Sequence, residues 1–164
     1  MSRGVDTYPD NAIDNMNHIL KEFRRSGNQV IHVHHYSIEE GSSLHQNSLL
    51  AQVIKGFEEE PGEPVFIKST SSAFSSTDLF PYLTKQQFSE CIVIGAVAGF
   101  CINSTVRSGA DLGLKMTVVS DAVISFGLEG SGPGAKAILE VTLALLSADF
   151  AKVLATKDLS QYLQ

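Results

Sequence analysis

The sequence predicts an α/β domain built on a mostly parallel sheet with helices on both faces. Three observations carry that prediction. Strand-type and helix-type apolar patterns alternate along the chain from Asp10 onward. A length of 164 residues with 43% hydrophobic content suffices for one buried core and makes two ordinary domains unlikely. No internal repeat, low-complexity run or linker-like segment breaks the alternation. Strands that alternate with helices imply right-handed crossovers and therefore parallel strands, and such sheets carry their chemistry at the carboxyl ends of the strands.

Asp10 is expected to cap a helix running to about Arg25, in which Ile13, Met16, Ile19, Leu20 and Phe23 recur at helical spacing while Lys21 and Glu22 face outward. Ser26-Gly27-Asn28 ends it. Gln29 to Tyr36 alternates and is rich in β-favouring residues, so it reads as a strand. The polar run from Ser37 to Pro64, with its Glu58-Glu59-Glu60 triplet, reads as a long excursion holding one helical turn near Ser48 to Ile54. Pro64 to Lys68 forms a short strand. Thr77 or Asp78 opens a short helix through Leu83, Phe88 to Gly95 contains the next strand, and Gly99 to Leu112 is helical. Lys115 to Ser120 is an apolar strand, Pro133 to Ser147 an amphipathic helix with proline in its first turn, and Ala151 to Ala155 a last short strand.

Composition excludes several function classes. The formal charge is -6 and the basic residues are scattered, which leaves no footprint for a polyanion and argues against nucleic acid as a partner. The longest apolar stretches, such as Ile92 to Phe100, fall well short of the roughly 20 residues a membrane helix needs. The N-terminus lacks the basic-then-apolar pattern of a signal peptide, so a cytoplasmic protein that avoids membranes is expected. Cys91 and Cys101, ten residues apart, then read as free thiols. The glycine-rich run Gly130 to Lys136 places alanine on both sides of its lysine and so is not a phosphate loop, and Gly95 to Gly99 fails the dinucleotide fingerprint. Neither a flavin nor a nucleotide is implied, and no cofactor is expected.

Two positions can carry chemistry. In Ile92 to Arg107, Cys101 falls just after a buried strand, in the first turn of the following helix. Unpaired N–H groups and the positive dipole end of a helix favour a thiolate and can hold a developing oxyanion. The alternative at this position is a packed, inert cysteine. Cys91, at the start of a strand, reads as packing. Lys68 closes the strand PVFIK and precedes the hydroxyl-rich run STSSAFSSTDL, so its ammonium can point into a cleft. A lysine at a strand end is ordinarily solvated, and its weight comes from the combination with Cys101, since a cation beside a thiol favours the thiolate and can orient a carbonyl.

Lys68 with Ser72-Ala73-Phe74 and Thr77-Asp78-Leu79, then Gly95 and Cys101, then Thr105, Arg107, Ala110 and Gly113, then Val118 to Ala122 (VVSDA), resembles the isochorismatase-like hydrolases. The resemblance runs from Asp10 onward. It implies a three-layer α/β/α sandwich and an Asp–Lys–Cys triad, with Cys101 as nucleophile and Lys68 as the triad lysine. It also implies a non-proline cis peptide three residues before the cysteine, at Val97-Ala98, whose neighbouring N–H groups form an oxyanion hole; Ala98 stands where many members have threonine. His35, or its neighbour His34, and Phe74 are the expected pocket residues. A homo-oligomer acting on a small-molecule substrate is expected on the same ground.

The sequence departs from the pattern at its start. The family's aspartate ends an apolar first strand in the middle of the sheet, and this chain opens MSRGVDTYPDNA without such a run. Asp6 and Asp10 read as loop or capping residues. A misassigned start, a gap filled by another segment or chain, and a truncated inactive form all fit. His32 and His34 share one face of a strand, with His35 next to them and His45 beyond, which permits metal ligation. The spacing does not reproduce the Asp-x-His of nicotinamidases, so no metal is expected. Two functions stand side by side: a hydrolase of a small amide or related C–N bond working through Cys101, and a silent family member serving as a binding or oligomer-forming subunit. The loops Ser37 to Glu63 and Ile124 to Gly134 would shape the pocket, and the glycine-rich loop Gly130 to Lys136 would lie over it.

Overall fold

The computed structural model describes residues 6 to 162, apart from positions 43, 49, 50, 129 and 131. Its elements run in the order β1 (Thr7–Tyr8), α1 (Ala12–Arg25), β2 (His32–His35), β3 (Val65–Lys68), α2 (Leu79–Lys85), β4 (Glu90–Ala96), a π-helical turn (Ala98–Ile102) continuing into α3 (Asn103–Asp111), β5 (Lys115–Phe126), α4 (Ala135–Asp149), β6 (Ala151–Leu154) and a closing 3-10 segment (Thr156–Tyr162). β2 pairs with β3, and β5 with both β4 and β6, all in parallel; only the two-residue β1 runs antiparallel, against the end of β5. The alternation of strand and helix thus gives the expected parallel α/β architecture.

Successive residues of β5 show the three layers. Val118 and Val119 are both fully buried, yet they belong to different packing clusters because alternate strand residues face opposite sides of a sheet. Val118 packs with Val106 of α3, Leu139 and Leu146 of α4, and Leu79 and Leu83 of α2. Val119 packs with Ala12, Met16 and Ile19 of α1 and with Leu159 of the closing segment. The 3.6-residue apolar spacing of α1 is therefore its buried stripe, with Gly27 in the left-handed region at the turn that follows.

Several boundaries differ from expectation for identifiable reasons. The residue before α1 is Asn11 and makes no side-chain cap bond, so Asp10 does not cap it. β5 does not stop at Ser120 but runs on to Phe126. Ser120 and Asp121 look like a strand end because they are polar. Their groups are satisfied within the fold: Ser120 Oγ donates to the Leu154 carbonyl at 3.2 Å, and Asp121 Oδ1 accepts from the Thr156 N–H at 2.8 Å and its hydroxyl at 2.7 Å. The register to β4 shifts across this stretch, from Val93 opposite Val118 to Gly95 opposite Val123. The helical turn expected at Ser48 to Ile54 falls partly outside the described residues, as does the loop before α4.

Among the described residues β2 and β4 share no ladder, so the sheet consists of two separate parts. A largely apolar cavity of about 690 Å³ lies between them, lined by Ile31 and Val33 on one side, Ile92 and Ile94 on the other, and Phe23 of α1. Lys68 and Cys101 line the same cavity.

Candidate active site

Lys68 is the last residue of β3, and the parallel register sets it beside His35, the last residue of β2. Cys101 arrives from the turn that follows β4. Three strand-ends thus deliver three side chains to one point at the carboxyl edge, where parallel sheets assemble their sites.

The Lys68 side chain reaches four acceptors. Its Nζ donates to the carbonyls of Thr70 at 2.7 Å and Ser71 at 3.0 Å, and lies 3.2 Å from Cys101 Sγ and 3.2 Å from His35 Nδ1. Only 4% of Lys68 is exposed, so the solvated lysine usual at a strand end is not what the fold builds. A buried ammonium needs its protons satisfied, and the hydroxyl-rich run after it supplies the means. Ser76 Oγ accepts from the Ser69 N–H at 3.1 Å and pairs with Thr70 Oγ1 at 3.0 Å, while Thr77 Oγ1 donates to the Ala73 carbonyl at 2.6 Å. Thr105 of α3 anchors the loop by accepting from the Ala73 N–H at 3.0 Å. These contacts hold the Thr70 and Ser71 carbonyls on the lysine. Sequence reasoning noted the hydroxyls but missed the two carbonyls, which no side-chain pattern encodes.

His35 Nδ1 is also 3.5 Å from Cys101 Sγ, so lysine, thiol and imidazole form a closed triangle. Burial, then the neighbouring Lys68 charge, hold the His35 ring below the ordinary imidazole value of 6.5, against one hydrogen bond to the Ser69 backbone. The ring is therefore neutral near pH 7. Phe74 lines the cavity and stands edge-on to Phe80 at 6.4 Å. Cys91 packs half-buried against the core, and burial pushes its thiol up.

The cis peptide lies between Ala96 and Val97, one residue earlier than the expected Val97-Ala98 bond. Val97 has extended backbone, and its carbonyl accepts from the N–H groups of Phe100 at 3.1 Å and Ile102 at 3.2 Å. Ala98 opens the turn with its methyl fully buried.

The remaining histidines do not converge on a ligand. His32, His34 and Tyr36 stack along one face of β2, as the period-two spacing requires. His32 Nε2 meets Glu63 at 2.8 Å, and His45 Nδ1 accepts from the Asn47 N–H at 3.3 Å. Among the described residues no group of three His, Cys, Asp or Glu side chains could hold a metal. Nor does any described carboxylate form an ion pair with Lys68. Asp6 instead accepts from the Ala135 N–H at 2.7 Å and caps α4.

The isochorismatase domain model matches residues 9–156. A protein of Bacillus subtilis described as the uncharacterized isochorismatase family protein YrdC is 27% identical over 154 residues, covering 90% of this chain and 81% of that one. The crystal structure of an isochorismatase-family protein from Chromobacterium violaceum superposes with a TM-score of 0.90 at 26% identity, over 96% of this chain and 83% of the other. That of an isochorismatase from Pseudomonas putida gives 0.79 at 29% identity, over 90% and 77%.

Proposed function

The chain belongs to the isochorismatase family of hydrolases, and on that premise we propose that it hydrolyses a small-molecule amide or related C–N bond with Cys101 as nucleophile. The observation that carries this reading is the 3.2 Å contact between the buried Lys68 ammonium and Cys101 Sγ at the carboxyl edge of the sheet. A cation there favours the thiolate over the thiol and can hold a substrate carbonyl against it. A thiolate attacks an acyl carbon, whereas cleavage of a vinyl ether needs no thiolate, so the pairing speaks for amidase chemistry. It also speaks for an active site over a silent subunit, because a buried lysine held on a thiol serves no packing purpose that an apolar side chain would not serve better.

In this scheme Cys101 forms the acyl-enzyme, Lys68 steadies the sulfur, and backbone N–H groups near Val97 and Ala98 meet the developing oxyanion. His35 and Phe74 border the substrate. The enzyme works in the cytoplasm as a homo-oligomer, for which the exposed Val141 and Leu145, one turn apart on α4, offer an apolar contact face. The test is ammonia release from a panel of small primary amides. Turnover is expected with at least one, falling at least about a thousandfold in Cys101→Ser. Undiminished turnover in Cys101→Ser would refute the nucleophile.

A further inference from the structure

The loop that grips Lys68 and the helical segment that carries Cys101 meet along one stripe. Cys101, Thr105 and Gly109 follow one another at intervals of four residues, which sets them on one side of that segment. Each meets the chain between Lys68 and Phe74. Cys101 Sγ lies 3.2 Å from Lys68 Nζ, Thr105 Oγ1 accepts from the Ala73 N–H at 3.0 Å, and a Cβ on Gly109 would stand 3.1 Å from Phe74 Cε2. Gly109 is thus the gap that lets Phe74 close on α3. Among the described residues, the Thr105 bond is the one hydrogen bond between residues 69–78 and residues 98–111.

From Thr70 to Ala73 the loop is held peptide by peptide. The Thr70 and Ser71 carbonyls accept from Lys68 Nζ, the Ser72 carbonyl accepts from Thr70 Oγ1 at 3.0 Å, and the Ala73 carbonyl accepts from Thr77 Oγ1 at 2.6 Å. Ser72 and Ala73 are buried. Close-packed segments transmit a displacement rather than absorb it, so a shift at Ala73 reaches the Ser71 carbonyl two residues away and, through it, the ammonium. The attraction between an ammonium and a thiolate falls with their separation, and more steeply in a buried site than in water. Lys68 arrives from β3 and Cys101 from the turn after β4, and the Thr105 hydroxyl, four residues beyond the sulfur, ties the two sides together.

We propose that Thr105 is a positioning residue for the reactive pair: by accepting the Ala73 N–H it holds the lysine loop on α3 and sets the separation of Lys68 from Cys101. This rests on the reading of Cys101 as nucleophile and deepens it. Thr105 hydrogen-bonds neither the sulfur nor the ammonium, so it acts through the loop. Valine has the shape of threonine without the acceptor, so it leaves the Ala73 N–H unsatisfied and frees the loop, whereas serine keeps the acceptor.

The test is the rate of Cys101 alkylation by iodoacetamide against pH, read by peptide mass spectrometry. It is run on the parent chain, Thr105→Val, Thr105→Ser, Lys68→Ala and the double variant Thr105→Val/Lys68→Ala, with urea midpoints measured alongside so that every rate is that of folded protein. Thr105→Val is expected to slow labelling at pH 7 by about threefold or more and to move the profile toward that of an ordinary thiol, near about 8.5. Thr105→Ser is expected to keep the parent profile. Without Lys68 the same Thr105→Val change is expected to alter the rate by less than about 1.5-fold, because a residue that acts through the lysine then has nothing to position. Thr105→Ala replaces Thr105→Val where valine prevents folding. A Thr105→Val profile that superimposes on the parent while Lys68→Ala shifts it, a Thr105→Val effect equally large without Lys68, or a Thr105→Ser profile that matches Thr105→Val overturns the role of Thr105 and leaves Cys101 as nucleophile untouched. A Cys101 that reacts like a free thiol in the parent and in Lys68→Ala alike removes the nucleophile, and this inference with it.

Discussion

Asp6 joins the start of the chain to the start of α4. Its carboxylate accepts from the Ala135 N–H at 2.7 Å, and its own carbonyl accepts from the Gly127 N–H at 2.9 Å. The N-cap residue of α4 is Gly134, which has no side chain to offer, so the cap comes from 129 residues away. Gly127 makes room for it: a Cβ there would stand 2.6 Å from Asp6 Oδ2. Asp6→Ala is expected to lower stability by about 0.5–2 kcal/mol and Asp6→Asn by less, read as a shift of the urea midpoint at constant slope. The sequence marks Asp6 only as a loop or capping residue and does not say of which helix, because the partner is set by tertiary packing. Lys68 and Cys101 were legible for the opposite reason, since each sits in a short window whose strand end or helix start is local. His35 reads from sequence only as an expected pocket residue. Its contact with both follows from the β2–β3 register, which pairs positions 33 apart.

At the scale of elements, α1 is tied to the loop before β3 through one carboxylate. Arg24 Nε donates to Glu63 at 2.7 Å and a second guanidinium nitrogen donates to it at 2.8 Å, while His32 Nε2 meets the same group at 2.8 Å. The Arg24 hydrogen bonds, aided by the Glu60 N–H and His32 and opposed by burial, hold the Glu63 carboxyl down at about 2. A depressed carboxyl stabilises the fold fully above its ordinary value of 4.5 and loses that contribution as the pH falls toward 2. Glu63→Gln is therefore expected to cost about 1–3 kcal/mol at pH 7 and much less at pH 2. Urea unfolding of both proteins at the two pH values checks this; an equal gap at both would mean that the charge is not what stabilises. The loop carrying Glu63 was read from sequence only as a polar excursion. Its acidic triplet drew notice, yet the buried member of the group is the isolated Glu63, with only 9% of its side chain exposed. The length of β5 was likewise hidden, because Asp121 signals a strand end until Asn15, which donates to its carbonyl at 2.7 Å, and Thr156 are brought to it.

Over the whole molecule, the alternating pattern of apolar segments was enough to give the parallel α/β architecture. Periodicity reports which faces are buried, and here it reports the two faces of β5 and the inner stripes of its helices. The separation of the sheet into two parts is a property of how β2 and β4 stand across the cavity, which Lys68 and Cys101 line.

The central claim is that the fold makes one of two cysteines a nucleophile, and competition between them tests it most directly. Parent and Lys68→Ala chains are treated at pH 7 with substoichiometric iodoacetamide, and the labelled peptides carrying Cys91 and Cys101 are quantified. Burial pushes the Cys91 thiol up, which disfavours its thiolate. In the parent, label is expected almost wholly on Cys101, and in Lys68→Ala that preference is expected to fall by about tenfold or more as the ammonium at 3.2 Å is lost. Equal labelling of the two cysteines, or a preference for Cys101 that survives without Lys68, would contradict the account.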